Sequence, residues 1–116
     1  MKILEYSKID SKVFVGDAVR GITGRIAIGK QDGAENFCMR VFEVEKGGYT
    51  PKHSHDWEHE IFFHAGKGEV LFDGKWVAVN AGFVAFIPGG MEHQIKNQGD
   101  SKLVFVCLIP AGAPEI

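Results

Sequence analysis

His53-Ser54-His55-Asp56-Trp57-Glu58-His59-Glu60, followed much later by a lone His93, is the stretch on which the reading of this chain turns. Four of its five histidines fall into this pattern. His53 and His55 stand two apart, the spacing that sets two side chains on one face of a β-strand. Imidazole is the commonest protein ligand for divalent transition metals, because it offers a neutral, moderately soft nitrogen near neutral pH. Two histidines on one strand face, a third just beyond and a distant fourth predict a metal site closed by folding. Solvated surface histidines would explain any one of them, but not the set.

Outward from this stretch the chain reads as strands separated by glycine. Residues 36–45 are rich in aromatic and β-branched side chains and stop at Gly47-Gly48. Residues 68–72 and 75–79 flank Asp73-Gly74 and predict a hairpin, since a type I′ turn needs positive φ at both central positions. Phe83 to Ile87 predicts a strand stopped by Pro88-Gly89-Gly90. Glu92 to Lys96 and Lys102 to Ile109 predict a final pair around the turn-like Asn97-Gln98-Gly99-Asp100. No window holds a helical period over eleven or more residues. Many short strands at turn spacing predict an all-β sandwich or barrel, and a small jelly roll fits the count. Gly24 to Lys30 imitates a phosphate-binding loop, but Gln31 stands where a magnesium-binding hydroxyl belongs and no helix pattern follows.

The spacings also resemble a known family. Gly47, five residues, His53-x-His55, four residues, Glu60 and then Gly66/Gly68 resemble the first cupin motif. Gly82, five residues, Pro88-x-Gly90, two residues, His93, three residues and Asn97 resemble the second. The first departs in one place, where the usual closing glycine falls on Lys67. The resemblance covers nearly the whole chain and implies a cupin-type jelly-roll barrel, a double-stranded β-helix, with residues 1–116 as a single domain. It also implies one divalent transition metal ion, manganese or iron first, with zinc, nickel, cobalt or copper as alternatives.

Composition bounds the partners. At 116 residues the chain buries roughly two thirds of its unfolded surface as one domain. A formal charge of −2 with mixed signs gives no reason to expect nucleic acid or an anionic membrane. No apolar run of about 18 residues is present to span a bilayer, and Met1 to Tyr6 does not read as a secretory signal. Two cysteines, Cys38 and Cys107, make no C-x-x-C pair, so a reduced cytoplasmic protein is expected, with a Cys38–Cys107 bridge left open.

His53, His55 and His93 are the expected ligands. The fourth is open between two neighbours. The cupin resemblance implies Glu60 in most members, whereas the Trp57-Glu58-His59-Glu60 wording resembles small single-domain cupins that use a histidine, here His59. Strand parity from His53 favours His59, although an intervening turn would reverse it. Four neutral imidazoles leave the ion its whole charge, which favours anionic ligands, and octahedral geometry leaves two positions free. A tetrahedral zinc would be saturated by the same set and merely structural.

Arg40 shares a strand face with Cys38 and Phe42. Facing inward it would grip a substrate carboxylate through its planar fork, and facing outward it is an ordinary solvated arginine. Phe105 and Cys107 share the face expected to wall the pocket, while Tyr49 and Trp57 would flank its mouth or pack elsewhere. Glu60, freed from ligation, would suit a general base. His64 is set outside the site, as a structural histidine. Apolar residues facing away from the site, Phe62 and Phe83 among them, predict a homodimer. The functional expectation is a metal-dependent oxidoreductase of dioxygenase type on a small organic substrate. A non-redox isomerase or lyase and a non-catalytic small-molecule-binding cupin are the alternatives.

Overall fold

Valine, isoleucine and phenylalanine set the architecture, because branched and aromatic side chains pack on a pleated surface and crowd the turns of a helix. A computed structural model describes residues 1–116. It holds β1 (Lys12–Phe14), β2 (Arg20–Ile28), β3 (Phe37–Tyr49), β4 (His59–Ala65), β5 (Lys67–Phe72), β6 (Lys75–Asn80), β7 (Val84–Ile87), β8 (Gln94–Asn97) and β9 (Leu103–Pro110). Two single-turn 3-10 segments, Tyr6–Lys8 and Lys30–Asp32, complete the regular structure. No helix is long and apolar enough to cross a membrane.

The strands curl into one antiparallel sheet in the order β6-β5-β8-β3-β9-β4-β7, with β2 along the other edge of β3 and β1 on β2. β3 joins the two walls. From Phe37 to Val44 it pairs with β9, and at Tyr49 it pairs with Lys96 of β8. The shift between walls falls on a bulge, since β2 advances from Arg20 to Ile22 while β3 runs from Tyr49 back to Val44. Bulges bend a strand in this way because the extra residues have no partner to hold the ladder straight. The β5–β6 hairpin turns at Asp73 (φ 52°) and Gly74 (φ 74°), as its Asp-Gly pair predicts.

Alternation sorts the side chains. On β4, His59, Ile61 and Phe63 are buried while Glu60, Phe62 and His64 are exposed. Ile61 and Phe63 join Val44, Val70, Ile95, Leu103 and Phe105 in the inner core, where Val44, Phe63 and Leu103 have no exposed surface. Each such side chain contributes roughly 1.5–3 kcal/mol by leaving water. A smaller cluster of Ala27, Val41 and Val104 lies elsewhere, covered by Tyr6 and Ile9.

The all-β jelly-roll expectation holds, with two differences. β3 continues to Tyr49, past the expected stop at Gly47-Gly48. β1 and β2 have no sequence signature, because β1 is only three residues long and Gly21 and Gly24 interrupt the alternation of β2. Gly24 is needed where it stands, since a Cβ would press on the rings of Phe14 and Phe42. The segment imitating a phosphate loop is mostly β2, and no α-helix follows it.

Candidate metal centre

Three devices place the four histidines. The backbones of His53 and His93 exchange hydrogen bonds, His53 N–H to His93 O at 3.1 Å and His93 N–H to His53 O at 2.9 Å, in an isolated bridge. His55 is held in the loop before β4, where Gly90 N–H donates to its carbonyl at 2.6 Å. Gly89 lets that loop approach, because a Cβ there would collide with the Asp56 carbonyl. His59 opens β4 and points inward above Ile61 and Phe63. The expected strand face carrying His53 and His55 is therefore absent. The chain bends only afterwards, at Asp56-Trp57, and that bend brings His59 back against His55, whose ring already stands 5.1 Å from that of His53.

The ring nitrogens converge. The four residues offer ligand atoms all within 4.8 Å of one another. His53 Nε2 lies 3.1 Å from His93 Nε2, and His55 Nε2 lies 2.9 Å from His59 Nε2. Around an ion with metal–nitrogen bonds of about 2.1 Å, ligand nitrogens stand about 3.0 Å apart at octahedral right angles and about 3.4 Å apart in a tetrahedron. Both separations are close to what nitrogens sharing one ion require, so the donor set fits a single divalent ion. Outward, His55 Nδ1–H donates to the Trp57 carbonyl at 2.8 Å and His93 Nδ1–H to the Met91 carbonyl at 2.9 Å. Those bonds leave Nε2 of both rings bare and aimed inward. The Trp57 ring stacks flat on His55 at 4.1 Å.

Burial favours the neutral form of three of the rings, His53, His59 and His93. Burial, then Arg40 and the neighbouring rings, pushes the His59 pKa down to about 3. Loss of solvent around its ring, then His93, His55 and Arg40, takes His53 to about 4. His93 is lowered by burial, against the Met91 carbonyl. Burial raises the Cys107 thiol despite Arg40, and raises Cys38, beside Glu115, to about 11. Both cysteines are free.

The rings form part of the wall of a cavity of about 200 Å³. Arg40 lines it from β3, buried, and so takes the inward position. Cys107, Phe105 and Trp57 line it as well. Two candidates lie elsewhere. Glu60 is exposed on the far side of β4, because alternation from inward-facing His59 turns it out, so it is not available as ligand or base in the cavity. Half-buried Tyr49 does not line the cavity, and its neighbour Thr50 does. His64 is exposed on the outer face of β4. The sequence reading missed Phe14, Thr50 and Ile116, which also line the cavity. Only the coming together of β1, the end of β3 and the last residues puts them there, and no local spacing signals it. No carboxylate, lysine or tyrosine side chain lines the cavity, and Arg40 is the one permanently charged side chain in its wall.

The family model Cupin_2, described as a cupin domain, matches residues 40–109. Among solved structures, the polyketide cyclase RemF from Streptomyces resistomycificus superposes with a TM-score of 0.89 at 29% identity, covering 98% of this chain and 82% of that one. The oxalate-binding protein of Thermotoga maritima is 38% identical over 68 residues, 58% of this chain and 56% of that protein. A glucose-6-phosphate isomerase of Thermococcus onnurineus is 30% identical over 96 residues, 72% of this chain and 51% of that protein. The chain thus spans about half the length of the curated relatives it matches.

Proposed function

This chain belongs to the Cupin_2 family, and from that premise we propose that it is a metal-dependent enzyme acting on a small organic anion, with His53, His55, His59 and His93 as the ligands of a divalent ion. The observation that carries this is the convergence of four imidazoles on the wall of a largely apolar cavity whose one permanently charged side chain is Arg40. A bound ion would supply Lewis acidity toward a substrate oxygen and, if iron or manganese, one-electron chemistry as well. Arg40 has donors to spare. Of the five N–H groups of a guanidinium, Nη1 reaches the Glu115 carbonyl at 3.4 Å and Nη2 reaches Cys107 Sγ at 3.1 Å, while buried Nε has no partner. A carboxylate or phosphate would occupy the remainder, and no acidic side chain in the cavity competes for them. Phe105, Ile61 and Ile95 would exclude water around the body of the substrate. Glucose 6-phosphate and oxalate, named in two of the relatives, are both anions.

The oxidoreductase reading, of dioxygenase type, is favoured over proton transfer by what the cavity lacks. An isomerase or lyase needs a general base, and with Glu60 outside no carboxylate stands ready. The names of the cyclase and the isomerase among the relatives favour non-redox chemistry as the second reading. Elemental analysis of untagged protein, purified without added metal or chelator, tests the proposal, followed by oxygen-electrode assays with small aryl and alkyl carboxylates. Near-stoichiometric iron or manganese with substrate-dependent oxygen uptake is expected. Turnover without oxygen uptake would shift the assignment to an isomerase or cyclase, and the absence of any metal-binding capacity would overturn it.

We also propose that the outer face formed by β7, β4 and β9 docks on a second copy of the chain. Phe62, Val84 and Phe86 are exposed there beside Val106 and Leu108, on an edge where β7 pairs only with β4. Contiguous apolar surface with an open strand edge favours association. Light scattering should give twice the chain mass, and Val84→Glu with Phe86→Lys should halve it. A monomeric wild type would refute the proposal.

A further inference from the structure

We propose that Cys107 is a positioning residue for metal loading, its sulfur being the acceptor that lets His59 keep its proton on Nδ1 and present a bare Nε2 to the ion. This role presupposes that the four imidazoles are the metal ligands. A neutral imidazole has one N–H, so a ring that ligates through Nε2 must carry its proton on Nδ1. His55 and His93 meet that condition through carbonyls, which only accept. His59 has no carbonyl. Its Nδ1 faces Cys107 Sγ at 3.1 Å and Arg40 Nη2 at 3.3 Å.

The two neighbours pull in opposite directions. A guanidinium only donates, so Arg40 favours the tautomer with a bare Nδ1 and the proton on Nε2. That tautomer is well served inside the site, because His55 Nε2 stands 2.9 Å from His59 Nε2 with its lone pair free. It also closes the coordination position. The sulfur reverses the preference. Cys107 Sγ lies 3.1 Å from both His59 Nδ1 and Arg40 Nη2, while its own hydrogen has the Leu108 carbonyl to turn toward at 4.0 Å. Its lone pairs can then accept from both donors. Pairing of Cys107 with Arg40 on one side and Ile61 on the other fixes the sulfur between β3 and β4. Arg40, His59 and Cys107 are all buried, so the three polar groups answer chiefly to one another.

The test is the zinc affinity of the full chain, measured by chelator competition for the wild type and five variants. Cys107→Ala should bind about 10- to 100-fold more weakly, the usual effect of losing a ligand's outer partner. Cys107→Ser should stay near wild type, since a hydroxyl also accepts. Cys107→Ala combined with Arg40→Met should recover most of the loss, because the opposing donor has gone, and Arg40→Met alone should bind no more weakly than wild type. Unchanged affinity in Cys107→Ala, or a double variant as weak as the single one, would overturn the proposal. His59→Ala serves as the control, since wild-type affinity there would refute the ligand set itself. If Cys107→Ala fails to fold, nitrogen-15 shifts of metal-free wild type decide: a His59 proton resting on Nδ1 supports the proposal and one resting on Nε2 sinks it.

Discussion

Replacing His53 and His55 together with alanine will leave a folded protein that no longer holds stoichiometric metal. Neither residue belongs to the inner core, whose buried members include Val44, Phe63, Val70 and Leu103. His53 is exposed and attached to His93 through backbone groups that alanine keeps. His55 gives up its stack on Trp57 and one carbonyl contact, a modest loss. The effect on the ion is of another order. Two imidazoles, His59 and His93, remain from four, and loss of direct ligands exceeds the roughly 10–100-fold that an outer partner costs. Elemental analysis and circular dichroism on one preparation check both halves. Unfolding of the double variant would mean that the ion holds the fold together, as in small metal-dependent domains. The neighbouring pair resolves the fourth ligand. His59→Ala should lose metal while Glu60→Gln keeps it, because His59 faces the other imidazoles and Glu60 faces outward. The opposite result would place the ligand on Glu60 and require β4 to be turned over.

What could be read in advance divides along a physical line. Local chemistry was legible: the Asp73-Gly74 turn, the strand stopped at Pro88 and the grouping of His53, His55 and His59 all follow from residue type and short spacing, while distant His93 joins them through the second motif. His59 was favoured over Glu60 by parity from His53, yet the continuous strand assumed in that reasoning does not exist. The bend at Asp56-Trp57 consumes the intervening residues and restores the same outcome by another route. Arg40 shows the limit more sharply. Its face is decided by pairing with Cys107 on β9, a partner far away in the chain, and no spacing around position 40 encodes it. Tyr49 and Thr50 differ by a single step of alternation, which the bulge before them sets. Such one-residue offsets turn a side chain from one face of a sheet to the other, so long-range register decides them.

Phe63→Ala will be the most damaging single truncation in the fold, at about 3–5 kcal/mol. Phe63 has no exposed surface, and its cross-strand partner on β9 is Phe105, the two rings standing 5.7 Å apart. Truncation removes the ring's transfer free energy and opens a hole between two walls that are both held by ladder pairing, which limits collapse. Against a total of about 5–15 kcal/mol for a native domain, that loss is a large share. The melting temperature should fall by on the order of 15 °C. Phe62→Ala, one residue earlier on the opposite face and 47% exposed, should cost the monomer less than about 1 kcal/mol. Equal losses at the two positions would contradict the assigned face of β4, and with it the inward placement of His59. Zinc supplies a further check. His59 shares its strand face with Phe63, so an ion gripped by the native arrangement should raise the melting point of Phe63→Ala, adding about 2.7 kcal/mol at a free concentration a hundredfold above its dissociation constant. Failure of zinc to stabilise that variant, with wild type stabilised as expected, would show that the cradle depends on the packing beneath it.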